Sequence, residues 1–385
     1  MDIHGSTLPR RLGSSGDDQH DSTAIVWLWD NCRRSVSVRH DEHMSSDDLV
    51  TVLIPARNEE LFLPGCLDSV RSQDYAALQI LVVDGNSSDR TPDIVKACMA
   101  EDERIELLHN PIANIPSSLN MAVAQARGRW VVRIDAHSTI GPSYVRLAIQ
   151  RLREGSWGGV GGRKDGIGRT SAGRAIAVAM ASRFGVGNST YHFGTTIQEV
   201  DHLPFGAYPL EVVHQMGGWN ERLTANEDFE FDYRLRRAGM PLLFDPGLVI
   251  AWHCRQSIGD LFWQYHRYGR GKVDVARLHP DSLRLRHLAP PAFVGYAAVG
   301  AALNARHPVR WLAMLAPYAA AVAFESMRAG RRLESLSDKL NLPSAFVAMH
   351  VGWGMGFWSG VRTTLFDGGR VSRVTTRPQP RAGQG

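Results

Sequence analysis

Asp135 and His137 stand two residues apart, directly after the apolar run Trp130 to Ile134. If the chain turns sharply there, both side chains can face one divalent cation and leave positions open for a diphosphate. Carboxylate oxygen and imidazole nitrogen suit Mn²⁺ or Mg²⁺. An aspartate after a strand more commonly makes a turn or caps a helix, so the pair needs support from the rest of the chain. His253, in Ala251-Trp252-His253-Cys254, follows a second apolar run, Leu248 to Ala251. It is a candidate third ligand or diphosphate contact, and equally a structural histidine satisfied by its neighbours. Glu227 and Asp228 open an amphipathic segment running to Leu235, where early acids also complement a helix dipole.

These residues need a frame that brings them to one edge. Leu49 to Pro55 is a nearly continuous β-branched run ending in proline, the pattern of a strand buried on both faces. A helix is expected from Leu61 to Ser72, a strand from Gln79 to Val83, a polar turn from Asp84 to Asp89, and a helix opening at Thr91-Pro92. A strand at 105–108, a helix at 117–126 and a strand at 130–134 continue the alternation. That order predicts a mainly parallel central sheet covered by helices. In such sheets ligands bind beyond the carboxyl ends of the strands, which here carry Arg57-Asn58-Glu59-Glu60, Asp84 to Asp89, and Asp135-Ala136-His137. Glu59 can also be a solvated acid at a helix start, and Asp84 a turn residue.

The chain of 385 residues carries a net charge of +4, with basic residues dispersed except near the C-terminus, which argues against a nucleic-acid groove. Its four cysteines are far apart and form no CxxC pair, so neither a disulfide framework nor a structural zinc site is expected. They fit a reducing, cytosolic setting. Residues 1–46 are polar with one short apolar patch, read as a mobile leader rather than a signal peptide. The glycines of 158–162 and 166–168 follow the fourth strand rather than the first, and no Gly-x-Gly-x-x-Gly turn follows residues 49–55, which excludes a dinucleotide fingerprint.

Taken in order, Pro55-Ala56-Arg57-Asn58-Glu59, Val82 to Asp89, Arg133-Ile134-Asp135-Ala136-His137, Asn226-Glu227-Asp228 and Gln264-Tyr265-His266-Arg267-Tyr268 resemble the family 2 inverting glycosyltransferases over about residues 49–280. Within that family, Gly185-Val186-Gly187-Asn188, Glu199-Val200-Asp201 and Tyr268 to Lys272 are similar to the succinoglycan-type exopolysaccharide glucosyltransferases. The resemblance implies a Rossmann-like α/β domain of glycosyltransferase A type. Pro55, Ala56, Arg57 and Glu59 would line the nucleotide pocket, with Asp84 reading base or ribose and Asp89 beside it. Asp228 would be the base, with Glu227 orienting it or meeting the acceptor. Gln264 and Arg267 would contact donor phosphates, and the glycine-rich segment, Asp201 and Gly206 would lie as a flexible rim on the acceptor side. The usual Asp-x-Asp metal motif is here Asp135-Ala136-His137, which favours Mn²⁺ without excluding Mg²⁺. The final aromatic of Gln-x-x-Arg-Trp is here Tyr268. These departures leave a catalytically silent nucleotide-binding scaffold as the rival reading.

From about Leu288 the composition turns apolar, in stretches at 288–304, 311–324 and 343–361, ahead of a basic tail at 368–385. A spanning helix needs about 20 apolar residues, so the first and third barely qualify and the second is short. The expectation is a catalytic domain at 47–287 and a membrane-associated helical region at 288–367, acting at the cytoplasmic face on a lipid-linked saccharide. A soluble helical oligomerisation domain is the alternative for that region.

Overall fold

The computed structural model describes residues 49–366. The leader of 1–46 and the tail of 368–385 lie outside the described residues. The alternation expected in the first half is present. Strand β1 (Val50–Ala56) is followed by helix α1 (Leu63–Arg71), β2 (Leu78–Asp84), α2 (Thr91–Glu101), β3 (Ile105–His109), α3 (Ile115–Gln125) and β4 (Trp130–Arg133). Each of the three helices has proline in its first turn, where the missing N–H costs nothing, and Asn114 caps α3 by accepting from Ser117 N at 2.8 Å. Strands β1 and β2 run parallel with Ala56 opposite Asp84, and β1 and β4 run parallel with Leu53 opposite Arg133. Three loops therefore leave the sheet at neighbouring strand ends.

The remaining sheet departs from the expected pattern. The order is β3-β2-β1-β4-β8-β6-β9-β5, with β7 also on β9. Strands β5 (Ser138–Ile140), β7 (Gln198–Val200) and β8 (Ala207–Pro209) all pair antiparallel, so the sheet is mixed rather than mainly parallel. Three-residue strands are too short to show a period-2 signature.

The glycine-rich segment is no flexible rim. It is β6 (Gly159–Ile167), parallel to the long β9 (Leu242–His253). The glycines are there for close approach: a Cβ on Gly159 would strike the Tyr208 ring, and one on Gly162 would overlap the Leu248 carbonyl.

Between these strands lie α4 (Tyr144–Glu154), α5 (Ser171–Met180), the single turn α6 (Arg183–Val186) and α7 (Leu210–Gln215). Helix α8 (Glu227–Arg237) precedes β9, and α9 (Ile258–Leu278) follows it. The C-terminal third forms α10 (Leu285–Leu303), α11 (Pro308–Ala329) and α12 (Leu336–Phe366). The boundary expected at 287/288 falls in the first turn of α10. Helix α12 lies along α9 at backbone distance, since a Cβ on Gly269 would meet the Trp353 carbonyl and one on Gly356 the His266 carbonyl. Arg174 of α5 holds the buried Asp338 of α12 through two bonds of 2.7 and 2.9 Å. No helix among the described residues is long and apolar enough to cross a membrane. Alanine and glycine lower the apolarity, and one face of α12 is spent on α5 and α9. Val299, Leu303, Val309, Leu312, Phe324 and Met327 nonetheless stand exposed on α10 and α11.

Candidate active site

The turns after β1 and β2 are tied to each other. Asn58, with φ of 56°, accepts from Ser88 N at 2.8 Å and donates its own N–H to Ser87 Oγ at 2.9 Å. Asp84, nearly buried, accepts from Ser87 N at 3.2 Å and meets His109 Nδ1 at 3.4 Å. Asp89 is engaged by the fold itself, one oxygen accepting from Thr91 N at 2.9 Å and the other from Glu60 N at 3.1 Å. These bonds place Pro55, Ala56, Arg57, Glu59 and Asp84 on one edge of the sheet.

A cavity of about 590 Å³ opens beside that edge, walled by Arg133, Asp135, His137, Glu227, Asp228, Gln264, Arg267 and Asp201, among others. Asp135 leaves β4 and accepts from Arg133 Nε at 3.2 Å, while His137 Nδ1 sits 3.0 Å from Glu59 Oε1. Both therefore reach the cavity with a partner fixing their orientation. Oxygen and nitrogen donors on one wall fit two ligands of a divalent ion, with room for diphosphate and water. His253 does not complete a three-residue set. Its ring stacks on Phe62 at 4.5 Å with Nδ1 buried and unpaired, and no cluster of three ligating side chains exists among the described residues.

Arg133 joins this wall to the helix that carries Glu227 and Asp228. Only 4% exposed, it bonds Asp135 through Nε and Glu227 Oε1 through Nη1, the latter at 3.2 Å. Helix α8 begins after Asn226, held at φ of 61° with its side chain donating to the Tyr268 carbonyl at 3.0 Å. Asp228 thereby faces the cavity. Its neighbour is His202, whose Nε2 lies 3.8 Å from Asp228 Oδ2 and whose Nδ1 lies 2.8 Å from Asp232 Oδ2. Asp232 is fully buried and also accepts from Leu203 N at 2.7 Å and Tyr208 OH at 3.2 Å.

The electrostatics separate the two adjacent acids. Burial raises Glu227, and the charge of Asp228 adds to it against the pull of Arg133. Burial opposes ionisation of Asp228 too, but His202 and Arg133 outweigh it and hold that carboxyl below the ordinary range. Burial likewise disfavours a charged His202 ring, yet Asp228, Asp232 and Asp201 keep it above the usual imidazole value. Adjacent carboxylates of unlike acidity are chemically able to exchange a proton with a bound hydroxyl.

Lys164 lies 3.7 Å from the Trp252 ring centroid, pushed down to about 8 by burial against the attraction of Asp135 and Asp228. Arg267 shares that part of the wall with Arg255, and burial lowers it. Gln264 donates to Tyr268 OH at 3.0 Å. Asp201 pairs with Arg286 on the far wall. Gly206 is off the cavity lining; its carbonyl accepts from Arg133 N at 3.1 Å and a Cβ would strike Tyr208. Phe205 before it has φ of 57°, costly for a bulky residue, and its ring lies 5.4 Å from the Arg133 guanidinium and 4.8 Å from Lys164.

The Glycosyl transferase family 2 model matches residues 51–206. Succinoglycan biosynthesis protein ExoA of Rhizobium meliloti is 30% identical over 324 residues, spanning 82% of this chain and 97% of that protein. The chain belongs to glycosyl transferase family 2. A second relative of this family 2 glycosyltransferase, from Methanococcus voltae, is 24% identical over 58% of this chain and 73% of its own length. It is named as a dolichyl N-acetyl-α-D-glucosaminyl phosphate 3-β-D-2,3-diacetamido-2,3-dideoxy-β-D-glucuronosyltransferase. The fold is shared with mannosyltransferase PcManGT from Pyrobaculum calidifontis, solved with GDP-Man and Mn²⁺, at a TM-score of 0.57 and 19% identity over 90% of this chain and 95% of that one.

Sequence reasoning missed Arg133, Lys164, His202 and Asp232 in this glycosyltransferase. Arg133 was legible in principle: two residues before Asp135 on a strand, it projects to the same face. His202 was not, because its partners lie 26 and 30 residues away on a helix whose approach the sequence does not reveal.

Proposed function

We propose that the chain is an inverting, metal-dependent transferase that moves a sugar from a nucleoside-diphosphate sugar, with UDP-sugars first to test, onto a lipid-linked saccharide. The observation that carries this reading is Asp228, kept ionised on the cavity wall by His202 and Arg133, in the same cavity as Asp135 and His137. Asp228 takes the proton of the attacking acceptor hydroxyl on the side opposite the leaving diphosphate. Glu227, bonded to Arg133, sets the start of α8 and so the position of Asp228. Asp135 and His137 would hold the divalent ion, which when bound neutralises charge on the departing diphosphate. Lys164, Arg255 and Arg267 supply further positive charge to that end of the cavity. Pro55, Ala56, Arg57, Glu59 and Asp84 hold the nucleotide at the sheet edge.

The acceptor and location rest on other support. The Rhizobium relative is named for succinoglycan biosynthesis and the Methanococcus relative for a dolichyl-phosphate-linked sugar. The exposed apolar residues of α10 and α11, with Arg306 and Arg310 exposed at their junction, suit an interfacial contact with an anionic lipid surface. We assign the enzyme to the cytoplasmic face of the membrane in exopolysaccharide or envelope glycan assembly. The test is nucleotide release from a panel of UDP- and GDP-sugars with Mn²⁺ and membrane lipid extract. Metal-dependent release that requires the extract is expected, and absence of release with every donor contradicts the reading.

A further inference from the structure

Lys272 sits one turn beyond Tyr268 on α9, lines the same cavity, and is 2% exposed. Its Nζ is buried with no hydrogen-bond partner among the described residues, 3.3 Å from the centroid of the Phe229 ring. A buried ammonium without an acceptor is costly, and a cation–π contact returns only part of that cost. Its surroundings add to the cost. Burial, Arg286, Arg236 and Arg284 push the amine down to about 7, with Asp201 the one opposing carboxylate. That carboxylate is taken up by Arg286, which also donates to Asn188 Oδ1 at 3.1 Å and His287 Nε2 at 3.2 Å. His287 beside them is kept neutral, pushed down to about 3 by burial, Lys272 and Arg286. In this corner of the cavity Lys272 and Arg286 thus face the carboxylate of Asp201, and Lys272 Nζ is left without an acceptor.

It is distinct from the donor end. The cations nearest Asp135 are Arg133 and Lys164, and Arg267 has Arg255 as its charged neighbour. The charged neighbours that act most on Lys272 are Arg286, Asp201, Arg236 and Arg284. His202 links the two ends, its Nε2 3.8 Å from Asp228 Oδ2 and its ring 5.6 Å from the Phe229 ring on which Lys272 rests. From Arg286 the cavity wall continues along one face of α10 through Ala289, Pro290 and Phe293, at helical spacings of three, four and seven. That stripe is about 10 Å long and turns from charged to apolar. Met349 and Trp353 of α12 face the same space.

We propose that Lys272 and Arg286 form a second anion subsite, for the phosphate or diphosphate that joins an acceptor sugar to its lipid, with the apolar chain following Phe293, Met349 and Trp353. The proposal rests on the reading of the cavity as shared by donor and acceptor, and it gives that acceptor a chemistry: an anionic linker placed on the far side of Asp228 from the donor diphosphate.

The test is binding, so it does not depend on turnover. The full chain, saturated with UDP and Mg²⁺, is titrated with farnesyl phosphate and separately with inorganic phosphate. Farnesyl phosphate is expected to bind once per chain, about tenfold or more tighter than inorganic phosphate because of the buried methylenes. Lys272→Met and Arg286→Gln are each expected to weaken both ligands about tenfold, Lys272→Arg to retain them, and all three to leave UDP affinity unchanged. Phe293→Ser should weaken farnesyl phosphate alone. Unaltered binding in both Lys272→Met and Arg286→Gln, or displacement of the phosphate ligands by UDP, overturns the subsite. Equal affinity for the two probes overturns the apolar chain. Failure of UDP to bind while farnesyl phosphate still depends on Lys272 sinks the donor assignment and leaves the subsite standing.

Discussion

Two regions of the catalytic-domain fold, the sheet edge beside the cavity and the helices that wall it, are finished to different degrees. From β1 through α3 no buried side-chain polar atom lacks a partner among the described residues, and Asp84 and Asp89 are bonded to neighbouring turns. From α8 through α9 the same kind of atom is left open: Arg236 Nε, Trp252 Nε1, His253 Nδ1, Gln264 Oε1 and Lys272 Nζ. The first region is a rigid platform whose polar groups are satisfied by the fold. In the second, Trp252, Gln264 and Lys272 line the cavity, where a ligand or water can satisfy them. Substrate binding should therefore order the second region more than the first.

Four changes break or sharpen that contrast, beginning with the largest effect. Asp228→Asn keeps the shape of the carboxylate and removes its basicity; transfer should fall by about 10²–10⁴-fold with donor affinity little altered, measured by turnover and by calorimetric titration of UDP. Arg133→Met leaves Asp135 and Glu227 facing each other without their shared cation, and a loss of about 3–5 kcal/mol in chemical denaturation is expected together with weaker metal-dependent donor binding. Gly162→Ala tests the packing of β6 on β9 rather than the site: the added Cβ meets the Leu248 carbonyl, and denaturant titration should show a loss of about 1–3 kcal/mol.

His202→Gln is the subtlest change. His202 faces Asp228 and Asp232 on α8, Asp201 beside it in the chain, and Tyr191 and His192. Its positive charge lowers Asp228, so removing it raises that carboxyl. The acidic limb of the rate profile should then move to higher pH. On that limb the rate at a fixed pH falls about tenfold for every whole pH step the limb moves, while the rate on the plateau above it changes less. A profile that drops uniformly instead would assign His202 a packing role only.

The platform was legible because its signals are local. Leu49 to Pro55 and Gln79 to Val83 are strands buried on both faces, and Pro64, Pro92 and Pro116 mark helix starts. Asp135 and His137 could be singled out because a strand end and a two-residue spacing suffice to place both on one wall. The antiparallel strands β5, β7 and β8 were not legible, being three residues each and paired over long separations. The glycines of β6 suggest mobility when read alone. Only the presence of Tyr208 and Leu248 against them shows that they serve close packing. The C-terminal stretches were apolar because α12 buries faces against α9 and α10 while α10 and α11 expose others, a distinction composition does not carry. Lys272 closes the Tyr268 to Lys272 motif, but its meaning depends on Phe229 and Arg286, which arrive from two other helices.

The central claim is a single displacement with Asp228 as base, and the anomeric configuration of the product tests it most directly. With an α-linked nucleotide sugar, Mn²⁺ and lipid extract, proton NMR of the newly formed linkage should show the β-anomer alone. An α-linked product would contradict the account.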